Sequence, residues 1–406
     1  MKKRNLAALL MAGAMCFSLL AGCSGGDQNS NESNQGTQES QSAGDGNQGG
    51  GTSGGTFKLG GIGPLTGGAA IYGQNAMNGV QIAVDEINAL GGDIQFEFRP
   101  EDDQHNGELS VNAYNTLKDW GMQILVGTVT TGPALSVSPL AYQDHIFMLT
   151  PSASSTDVVD GKDNVFQVCF TDPNQGFRSA EYIDENMDVK NIAIIYKNDD
   201  AYSTGIYQSF LNEANTRGMN IVSTTTFTED TQSDFSVQVA AARDAGADLV
   251  YLPMYYTPAS VIMTQANQIG YEPIFFGVDG MDGILSVEGF DTSLAEGVML
   301  LSPFAADATD DLTVSFVTEY EKRYGDTPNQ FAADAYDAVY ILYEAIKAAG
   351  VSADMSNEEI NSALVSAITT ITVSGLTGEA MTWASDGTVS KDPRAVVIKD
   401  GLYATP

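Results

Sequence analysis

The stretch that decides the fold covers residues 57–98 and reads FKLGGIGPLTGGAAIYGQNAMNGVQIAVDEINALGGDIQFEF. It begins with the apolar run Phe57–Ile62 and ends with the alternating run Ile94–Phe98, and both runs predict strands. Between them, Gln74–Leu90 has the spacing of a helix. The apolar face of this helix contains Met77, Val80, Val84 and Ile87. A strand, a helix and a second strand in this order are typical of an α/β fold with a parallel sheet.

The alternation of short apolar strands and helices continues along most of the chain. Further strands are predicted at 124–126, 146–149, 165–170, 192–196, 220–227, 248–252, 274–278 and 296–301. Further helices are predicted at 106–120, 203–217, 233–245, 258–269, 310–324 and 330–349, and a β-hairpin-like tail at 375–399 with its turn at Asp386-Gly387. Near-continuous apolar strands belong to sheets covered by helices on both faces. Because roughly 350 residues are too many for one such sheet, the sequence predicts two α/β lobes.

The composition excludes several partners and chemistries. The 406 residues include 52 acidic and 18 basic ones, which gives a formal charge of −34. This charge excludes nucleic acid as a partner and argues against electrostatic attachment to anionic lipid. Three cysteines rule out a disulfide framework, and two histidines leave little material for a metal site. We therefore expect no metal ion and no cofactor.

The first 55 residues do not have the pattern of a folded domain. A positive segment at 2–4 precedes the apolar stretch Leu6–Leu20, which predicts a secretory signal. The sequence Leu20-Ala21-Gly22-Cys23 then resembles the lipobox of bacterial lipoproteins, in which residues 1–22 are removed and Cys23 takes the lipid. An ordinary secretory signal cut nearby is the alternative. Residues 23–55 are predicted to be a flexible linker, because no aromatic or branched aliphatic residue follows Cys23 there.

The residues after each predicted strand are candidates for a ligand site, because ligands of open parallel sheets bind beyond the carboxyl ends of the strands. Two successive strands run into the hydroxyl-rich segments 128–132 and 151–155. Hydroxyls, free backbone N–H groups and a helix dipole together suit a carboxylate. In the other half of the chain, strand ends carry tyrosines and the acid Asp279. A carboxylate receptor facing an acid suits a zwitterion. The alternative is that Thr131, Ser152 and Ser154 are helix caps and turn residues.

The stretch from Thr56 to about Gly401 resembles the substrate-binding proteins of branched-chain amino acid ABC transporters, which have the type I periplasmic-binding fold. Several short motifs in the same order carry this resemblance. They are Gly60-Gly61-Ile62-Gly63-Pro64-Leu65-Thr66-Gly67 with Tyr72-Gly73, Gly79 with Ala83-Val84-Asp85-Glu86-Ile87-Asn88, Val126-Gly127 with Thr130-Thr131, Thr150-Pro151-Ser152-Ala153-Ser154, Phe170-Thr171-Asp172-Pro173-Asn174-Gln175-Gly176, and Asp200-Ala201-Tyr202-Ser203.

The resemblance implies roles for particular residues. It implies that Thr131, Ser152 and Ser154 hold the α-carboxylate of an amino acid and share its ammonium. It also implies that Asp279 accepts the ammonium. The residues that line and close over the ligand side chain would be Tyr72, Tyr202 and Tyr255, with Tyr256 as an alternative to Tyr255.

Two positions depart from the pattern of the family. Gln167 stands where relatives often have arginine, and Asp279 stands where many have the longer glutamate. These departures affect the expected side-chain specificity more than the expected binding of an amino acid. Cys169, from the same run as Gln167, is interpreted as a buried core residue.

Two other functions are alternatives to a transport receptor. The first is a sensor with the same fold that feeds a signalling receptor, and it would differ in its partners and not in its pocket. The second is a secreted esterase, which needs a late histidine after a strand–serine–helix turn. The only histidines are His105 and His145, so this alternative is unfavourable.

The remaining candidates have structural interpretations. Asp102, Asp103 and His105 are predicted to form a solvated loop and not a metal cluster. His145 is predicted to be an exposed connector. Trp120 and Trp383 are predicted to be packing residues.

The resemblance implies two lobes joined by three crossings. Lobe one would hold about 56–172 and 304–376, and lobe two about 173–303 and 377–406. Such a chain is expected to be a monomer, anchored by the lipid on Cys23 to the extracytoplasmic face of the cell membrane. It would capture a small amino acid (leucine, isoleucine or valine) between the lobes and deliver it to an ABC transporter permease. A related amide or keto acid is the alternative ligand, and no catalysis is expected.

Overall fold

Two β-sheets organise the chain, and the stretch at 57–98 begins the first of them. The computed structural model describes residues 54–406. The predicted signal peptide, Cys23 and all but the last two residues of the predicted linker lie outside the described residues.

The first sheet contains five parallel strands in the order β2-β1-β3-β4-β5. They are β1 Gly55–Gly63, β2 Ile94–Asp102, β3 Ile124–Gly127, β4 Phe147–Thr150 and β5 Val165–Gln167. All residues of β3 and β4 are buried, as expected for central strands of a sheet covered on both faces.

The second sheet contains seven strands in the order β12-β11-β10-β9-β8-β6-β7. They are β6 Ile192–Lys197, β7 Ile221–Phe227, β8 Leu249–Leu252, β9 Ile274–Gly277, β10 Met299–Ser302, β11 Arg394–Lys399 and β12 Leu402–Ala404. Its first five strands in chain order are parallel, and β11 and β12 are antiparallel additions at one edge. Two mainly parallel sheets with helices between their strands confirm the predicted α/β fold.

Ten α-helices connect and cover the strands within residues 54–406. They are α1 Ala70–Ala89, α2 Gly107–Trp120, α3 Thr131–Gln143, α4 Asp172–Asn186, α5 Ala201–Arg217, α6 Ser236–Asp244, α7 Tyr256–Gln268, α8 Asp311–Tyr324, α9 Gln330–Ala349 and α10 Asn357–Ile368. None of the described helices is long and apolar enough to cross a membrane.

Helices α1 and α9 pack closely against each other beside the first sheet. A β-carbon at Gly79 would lie only 2.0 Å from the carbonyl oxygen of Ala332, so glycine is required for this approach. Asn329 caps the start of α9, because its side chain accepts hydrogen bonds from the N–H groups of Phe331 and Ala332. The close packing therefore fixes the first turn of α9, which lies beside the candidate site.

The predicted tail is partly a hairpin. The turn at Asp386-Gly387 is present, with Gly387 at φ +86° and Thr388 N–H donating to Asp386 at 3.1 Å. On either side of it, Trp383 and Val389 form an isolated antiparallel bridge. The regular strand β11 then pairs with β10 and β12 and joins the second sheet.

The tail also carries a buried ion pair. The Nζ of Lys391 lies 2.5 Å from Asp334 Oδ1, 2.5 Å from the Thr377 hydroxyl and 3.1 Å from the carbonyl oxygen of Val168. Lys391 is 6% exposed and Asp334 is 2% exposed. One lysine thus ties the tail to α9 and to the segment after β5.

Candidate functional site

The acid predicted to hold an ammonium group is buried at the carboxyl end of β9. Asp279 is 3% exposed and begins a short 3-10 turn, Asp279–Met281. Its Oδ1 accepts hydrogen bonds from the Tyr202 hydroxyl at 2.5 Å and from Gly280 N–H at 2.7 Å. Within residues 54–406, no lysine, arginine or histidine forms an ion pair with Asp279.

This environment changes the acidity of Asp279. Burial raises its pKa to about 6, although the hydrogen bonds from Tyr202 and Gly280 and the adjacent Gln175 side chain oppose this effect. The charge of Asp334 raises the pKa further. Near neutral pH the site therefore holds a buried carboxylate with polar but uncharged donors, which is the environment that an ammonium group would complete.

Three of the predicted tyrosines meet beside this acid. The rings of Tyr202 and Tyr255 are stacked, with centroids 4.6 Å apart and planes at 5°. Tyr72, from α1, lies 5.4 Å from Tyr255 between ring centroids. The Tyr72 hydroxyl donates to the Gly280 carbonyl oxygen and accepts from Tyr256 N–H at 3.1 Å. Tyr72 lies on α1, beside the first sheet, and it forms hydrogen bonds with residues that follow strands of the second sheet. It therefore joins the two halves of the site.

Tyr256 has a different position from Tyr255. Tyr256 is the first residue of α7, and its hydroxyl accepts a hydrogen bond from Ile71 N–H at 3.3 Å. Its ring lies 4.7 Å from that of Tyr72. Tyr255, by contrast, stacks directly on Tyr202. Tyr255 therefore packs on the tyrosine that bonds to Asp279, whereas Tyr256 packs on Tyr72.

The predicted hydroxyl groups lie at the carboxyl ends of β3 and β4. Thr131 begins α3 and is 1% exposed, and Ser154 is fully buried. Neither the Thr131 hydroxyl nor the Ser154 hydroxyl has a hydrogen-bond partner among residues 54–406. The Ser152 hydroxyl, however, donates to the Val129 carbonyl oxygen at 2.6 Å. The hydroxyls of Thr131 and Ser154 therefore have unused hydrogen-bonding capacity, whereas the Ser152 hydroxyl links its loop to Val129.

The hydroxyl-bearing residues after β3 and β4 lie next to the stacked tyrosines Tyr202 and Tyr255. Burial raises the pKa of Tyr255 well above its ordinary value, and the nearby backbone of Thr131 opposes that effect. Tyr255 is in turn stacked on Tyr202, which bonds to Asp279. A continuous chain of contacts thus runs from the start of α3 to the buried acid.

Asp172 is a second buried acid that sequence reasoning included in a motif without giving it a role. It begins α4, it is 1% exposed, and neither carboxylate oxygen has a hydrogen-bond partner of normal geometry among the described residues. Burial raises its pKa well above the ordinary value, the adjacent Ser154 side chain opposes this effect, and the nearby charge of Asp279 raises the pKa further. The sequence carried a signal here, because Pro173 marks a helix start and places Asp172 at its first turn.

The loop at Asp102, Asp103 and His105, predicted to be solvated and not a metal cluster, is less exposed than predicted, since Asp102 and His105 are half-buried. Asp103 is fully buried, and the Nδ1 of His105 lies 2.9 Å from the Thr130 hydroxyl. The His105 ring meets the Tyr255 ring edge-on, with centroids 5.3 Å apart. Burial lowers the pKa of His105 to about 4, so the ring is neutral near pH 7. The error arose because β2 extends to Asp102, which puts His105 at the same sheet edge as the other candidates.

Gln167 supports the loop that carries Ser154. Its amide Nε2 donates to the carbonyl oxygens of Ala153 at 2.7 Å and Ser155 at 3.0 Å, on either side of Ser154. The backbone carbonyl oxygen of Gln167 accepts a hydrogen bond from the indole N–H of Trp383 at 2.9 Å. The prediction that Trp383 is a packing residue is confirmed, as is the prediction that Cys169 is buried. Gln167 is therefore a positioning residue.

The remaining sequence candidates lie away from this site. His145 is exposed, as predicted. In the part of the chain that the structure describes, no group of three or more histidine, cysteine, aspartate or glutamate side chains could hold a metal ion.

Comparisons with known proteins point to one family. A family model described as "Periplasmic binding protein" matches residues 56–402. Leu/Ile/Val-binding protein homolog 3 of Brucella melitensis biotype 1 is 30% identical to the chain over 300 residues, which cover 73% of this chain and 80% of that protein. Leu/Ile/Val-binding protein BraC3 of Rhizobium johnstonii is 29% identical over 299 residues, with the same coverage.

Solved structures are similar over most of the chain. The branched-chain amino acid transporter substrate-binding protein LivJ from Streptococcus pneumoniae, in complex with isoleucine, has a TM-score of 0.77 and 26% identity, and the match covers 86% of this chain and 97% of that chain. An ABC transporter solute-binding protein from R. palustris in complex with 4-hydroxybenzoate has a TM-score of 0.76 at 18% identity, covering 86% of this chain and 95% of that one. The second likeness concerns the fold alone.

Proposed function

The chain belongs to the periplasmic binding protein family, a group of ligand-binding and non-enzymatic proteins, and we propose that it captures an amino acid between its two sheets. The single observation that carries this proposal is the buried carboxylate of Asp279, which has no ion-pair partner in residues 54–406. An amino acid would supply the missing positive charge.

The opposite end of the ligand would meet the hydroxyl groups. An α-carboxylate would accept hydrogen bonds from Thr131 and Ser154, whose hydroxyls have no partner within the described residues. The start of α3 adds backbone N–H groups and a favourable dipole. Tyr72, Tyr202 and Tyr255 would surround the ligand and close over its side chain. Lobe opening would admit the ligand, and lobe closure would enclose it with these groups.

We further propose a branched-chain amino acid as the ligand and an ABC transporter permease as the recipient. The relatives named for leucine, isoleucine and valine binding support this choice. An aromatic carboxylate such as benzoate fits the chemistry less well, because it offers no ammonium to the buried Asp279. A sensor that feeds a signalling receptor would use the same pocket. Loss of radiolabelled amino acid uptake in cells lacking the protein would support transport, and unchanged uptake would favour the sensor.

We also propose a lipid anchor on Cys23 and boundaries for the two lobes. Replacing Cys23 by serine should release the protein from the extracytoplasmic face of the membrane into the soluble fraction, as detected by immunoblotting. We propose one lobe of about 56–172 and 304–376 and another of about 173–303 and 377–406, in a monomer. Scattering from ligand-free and ligand-bound protein would test both the monomer and the closure of the lobes.

The direct test of binding is thermal unfolding of refolded protein, freed of carried-over ligand, with each of the twenty amino acids, several keto acids and amides, and benzoates. A ligand at 100 times its dissociation constant should add about 2.7 kcal/mol. A shift confined to aliphatic amino acids supports the proposal. A shift with benzoates or keto acids alone would remove the ammonium role of Asp279.

A matched pair of tyrosine variants makes this test specific to the site. Tyr202→Phe removes the hydroxyl that donates to Asp279. Tyr196→Phe removes a hydroxyl from a residue that stacks on Tyr207, with ring centroids 3.9 Å apart. We expect Tyr202→Phe to weaken binding and Tyr196→Phe to leave it unchanged. Equal affinities in both variants would contradict the assigned role of Tyr202.

A further inference from the structure

A cavity of about 350 Å³ lies between elements of the two sheets and shares no lining residue with the candidate site. One wall contains Ile71 at the start of α1, and another contains Phe304 after β10. The cavity is also lined by Val317 of α8, Asp282 and Asn329. We call it the inter-sheet cavity. Its volume lies within the range of roughly 300–1,000 Å³ that small-molecule sites occupy.

The charged residues that line the inter-sheet cavity are all acidic. Its lining includes Asp282, Asp307, Glu321 and Asp326. None of the described residues that line it is a lysine, an arginine or a histidine. The rest of the lining is largely apolar, with leucine, isoleucine, valine and phenylalanine side chains. Such a lining suits a molecule with a positive group on an apolar body.

Two polar groups in the lining have unused hydrogen-bonding capacity. Asp282 is 4% exposed, and its Oδ1 has no hydrogen-bond partner within residues 54–406. Its Oδ2 accepts from the backbone N–H of Gln330 at 3.0 Å and from the Gln330 amide at 3.2 Å. Asn329 is 9% exposed, and its Nδ2 has no partner among the described residues. A buried carboxylate with one unused oxygen is costly unless a donor approaches it.

We propose that the inter-sheet cavity is a second small-molecule site, which binds a primary ammonium carried on an apolar body. The ammonium would bind Asp282, and the apolar body would lie against Ile71, Phe304 and Val317. Burial raises the pKa of Asp282 to about 6, so the carboxylate is ionised at a slightly alkaline pH.

The inter-sheet cavity is linked to the candidate site through the first turn of α9. The Gln330 amide that bonds to Asp282 also donates to the carbonyl oxygen of Asp279 at 3.3 Å. The next residue, Phe331, meets the ring of Tyr72 with centroids 4.6 Å apart. A ligand in the cavity contacts walls from both sheets, so it stabilises the arrangement in which both walls are present. Occupancy of the cavity and of the candidate site should therefore favour each other.

The test uses cyclohexylammonium as the probe and cyclohexanol as its uncharged counterpart, with binding to the whole protein followed by protein NMR at about pH 8, where the probe remains cationic. We expect saturable binding of cyclohexylammonium at millimolar concentration and none of cyclohexanol. Asp282→Asn should weaken this binding at least about tenfold, because it removes the charge partner. Asp279→Asn should not, which separates the inter-sheet cavity from the candidate site.

A second variant keeps the test valid if Asp282→Asn folds poorly. Val317→Phe keeps all the acids and fills part of the cavity, so it should also abolish binding of the probe while the thermal transition is retained. Three results would overturn the proposal: no saturable binding to the wild-type protein, equal binding of cyclohexanol, or unchanged binding in a folded Val317→Phe variant. Failure of the amino acid screen would leave this result unaffected.

Discussion

Two of the buried aspartates, Asp279 and Asp334, lie close enough to influence each other, and only Asp334 has an ion-pair partner among the described residues. Asp334 has its own partner, since Lys391 Nζ lies 2.5 Å away and both side chains are buried. Asp279 has only neutral donors, and the charge of Asp334 makes its ionisation harder. The first arrangement is complete without a ligand, whereas the second would be completed by one. The comparison teaches that an unpaired buried charge, and not a buried charge as such, marks the candidate site.

The largest expected effect lies in the completed pair. Lys391→Met leaves Asp334 buried without its partner, so it should lower the free energy of unfolding of the ligand-free protein by about 3–5 kcal/mol. Urea unfolding measures this change. The double variant Asp334→Asn/Lys391→Met should recover most of the loss, because neither charge remains. Equal losses in the single and double variants would show that the pair is not the cause.

The incomplete site should respond in the opposite way. Asp279→Asn removes a buried charge that has no partner, so it should leave the stability of the ligand-free protein unchanged or raised. It should weaken binding of an amino acid by about 2–5 kcal/mol, because the ligand ammonium loses its partner. Calorimetric titration and urea unfolding of one preparation measure both quantities. Loss of stability without loss of affinity would assign Asp279 to the structure alone.

The pH dependence of stability tests the raised pKa of Asp279. The folded pKa of Asp279, about 6, exceeds the value of about 3.9 expected for an unfolded chain. The unfolded state therefore releases this proton first, and the contribution of Asp279 to stability falls as pH rises from about 4 to about 6. Relative to Asp279→Asn, the wild-type protein should thus lose stability across that interval. A constant difference between the two proteins would contradict the raised pKa.

Ligand affinity should rise as pH rises, whereas the contribution of Asp279 to stability falls. Because the ammonium requires ionised Asp279, affinity for the amino acid should rise with pH by at most about tenfold per unit below a pKa of about 6, and level off above it. Calorimetric titrations in a series of buffers would detect this. In Asp279→Asn the slope should disappear.

The smallest expected effect concerns the contact between His105 and Tyr255. His105→Ala removes the edge-on contact with Tyr255 and the bond to Thr130, so it should weaken amino acid binding by about 1 kcal/mol. His145→Ala is the matched control, because His145 is exposed. The two dissociation constants should differ about fivefold. Identical values would place His105 outside the site.

Much of the fold followed from sequence periodicity. Strands such as β1 and β8 are short apolar runs between polar turns, and helices such as α9 have a continuous apolar face, so local pattern and tertiary burial agree. Helices α3 and α4 were not predicted as elements. Pro139 interrupts the pattern of α3, and α4 is rich in charged and amide residues. Helix α10 did carry a signal, because Ser356 and Glu359 form a capping box.

The candidate site was predictable where strand ends and family motifs coincided. Tyr202, Tyr255 and Asp279 lie together because each follows a parallel strand of the second sheet, and these strands end at the same edge. Tyr72 reaches them from α1, beside the first sheet. His105 and Asp172 required the structure. The first depends on how far β2 extends, and the second depends on which hydrogen bonds its carboxylate fails to make. Hydrogen-bond satisfaction is a tertiary property, so no local pattern reports it.

The most direct test of the central claim is a double-mutant cycle between Asp279 and the ligand ammonium. Leucine and 4-methylpentanoate, which lacks only the amino group, would be titrated into the wild-type protein and into Asp279→Asn by calorimetry. If the amino acid screen identifies another ligand, that ligand and its deaminated acid replace them. We expect the wild-type protein to prefer the amino acid by at least about 100-fold, and the variant to lose most of that preference. The same preference in both proteins would contradict the claim that Asp279 awaits the charge of the ligand.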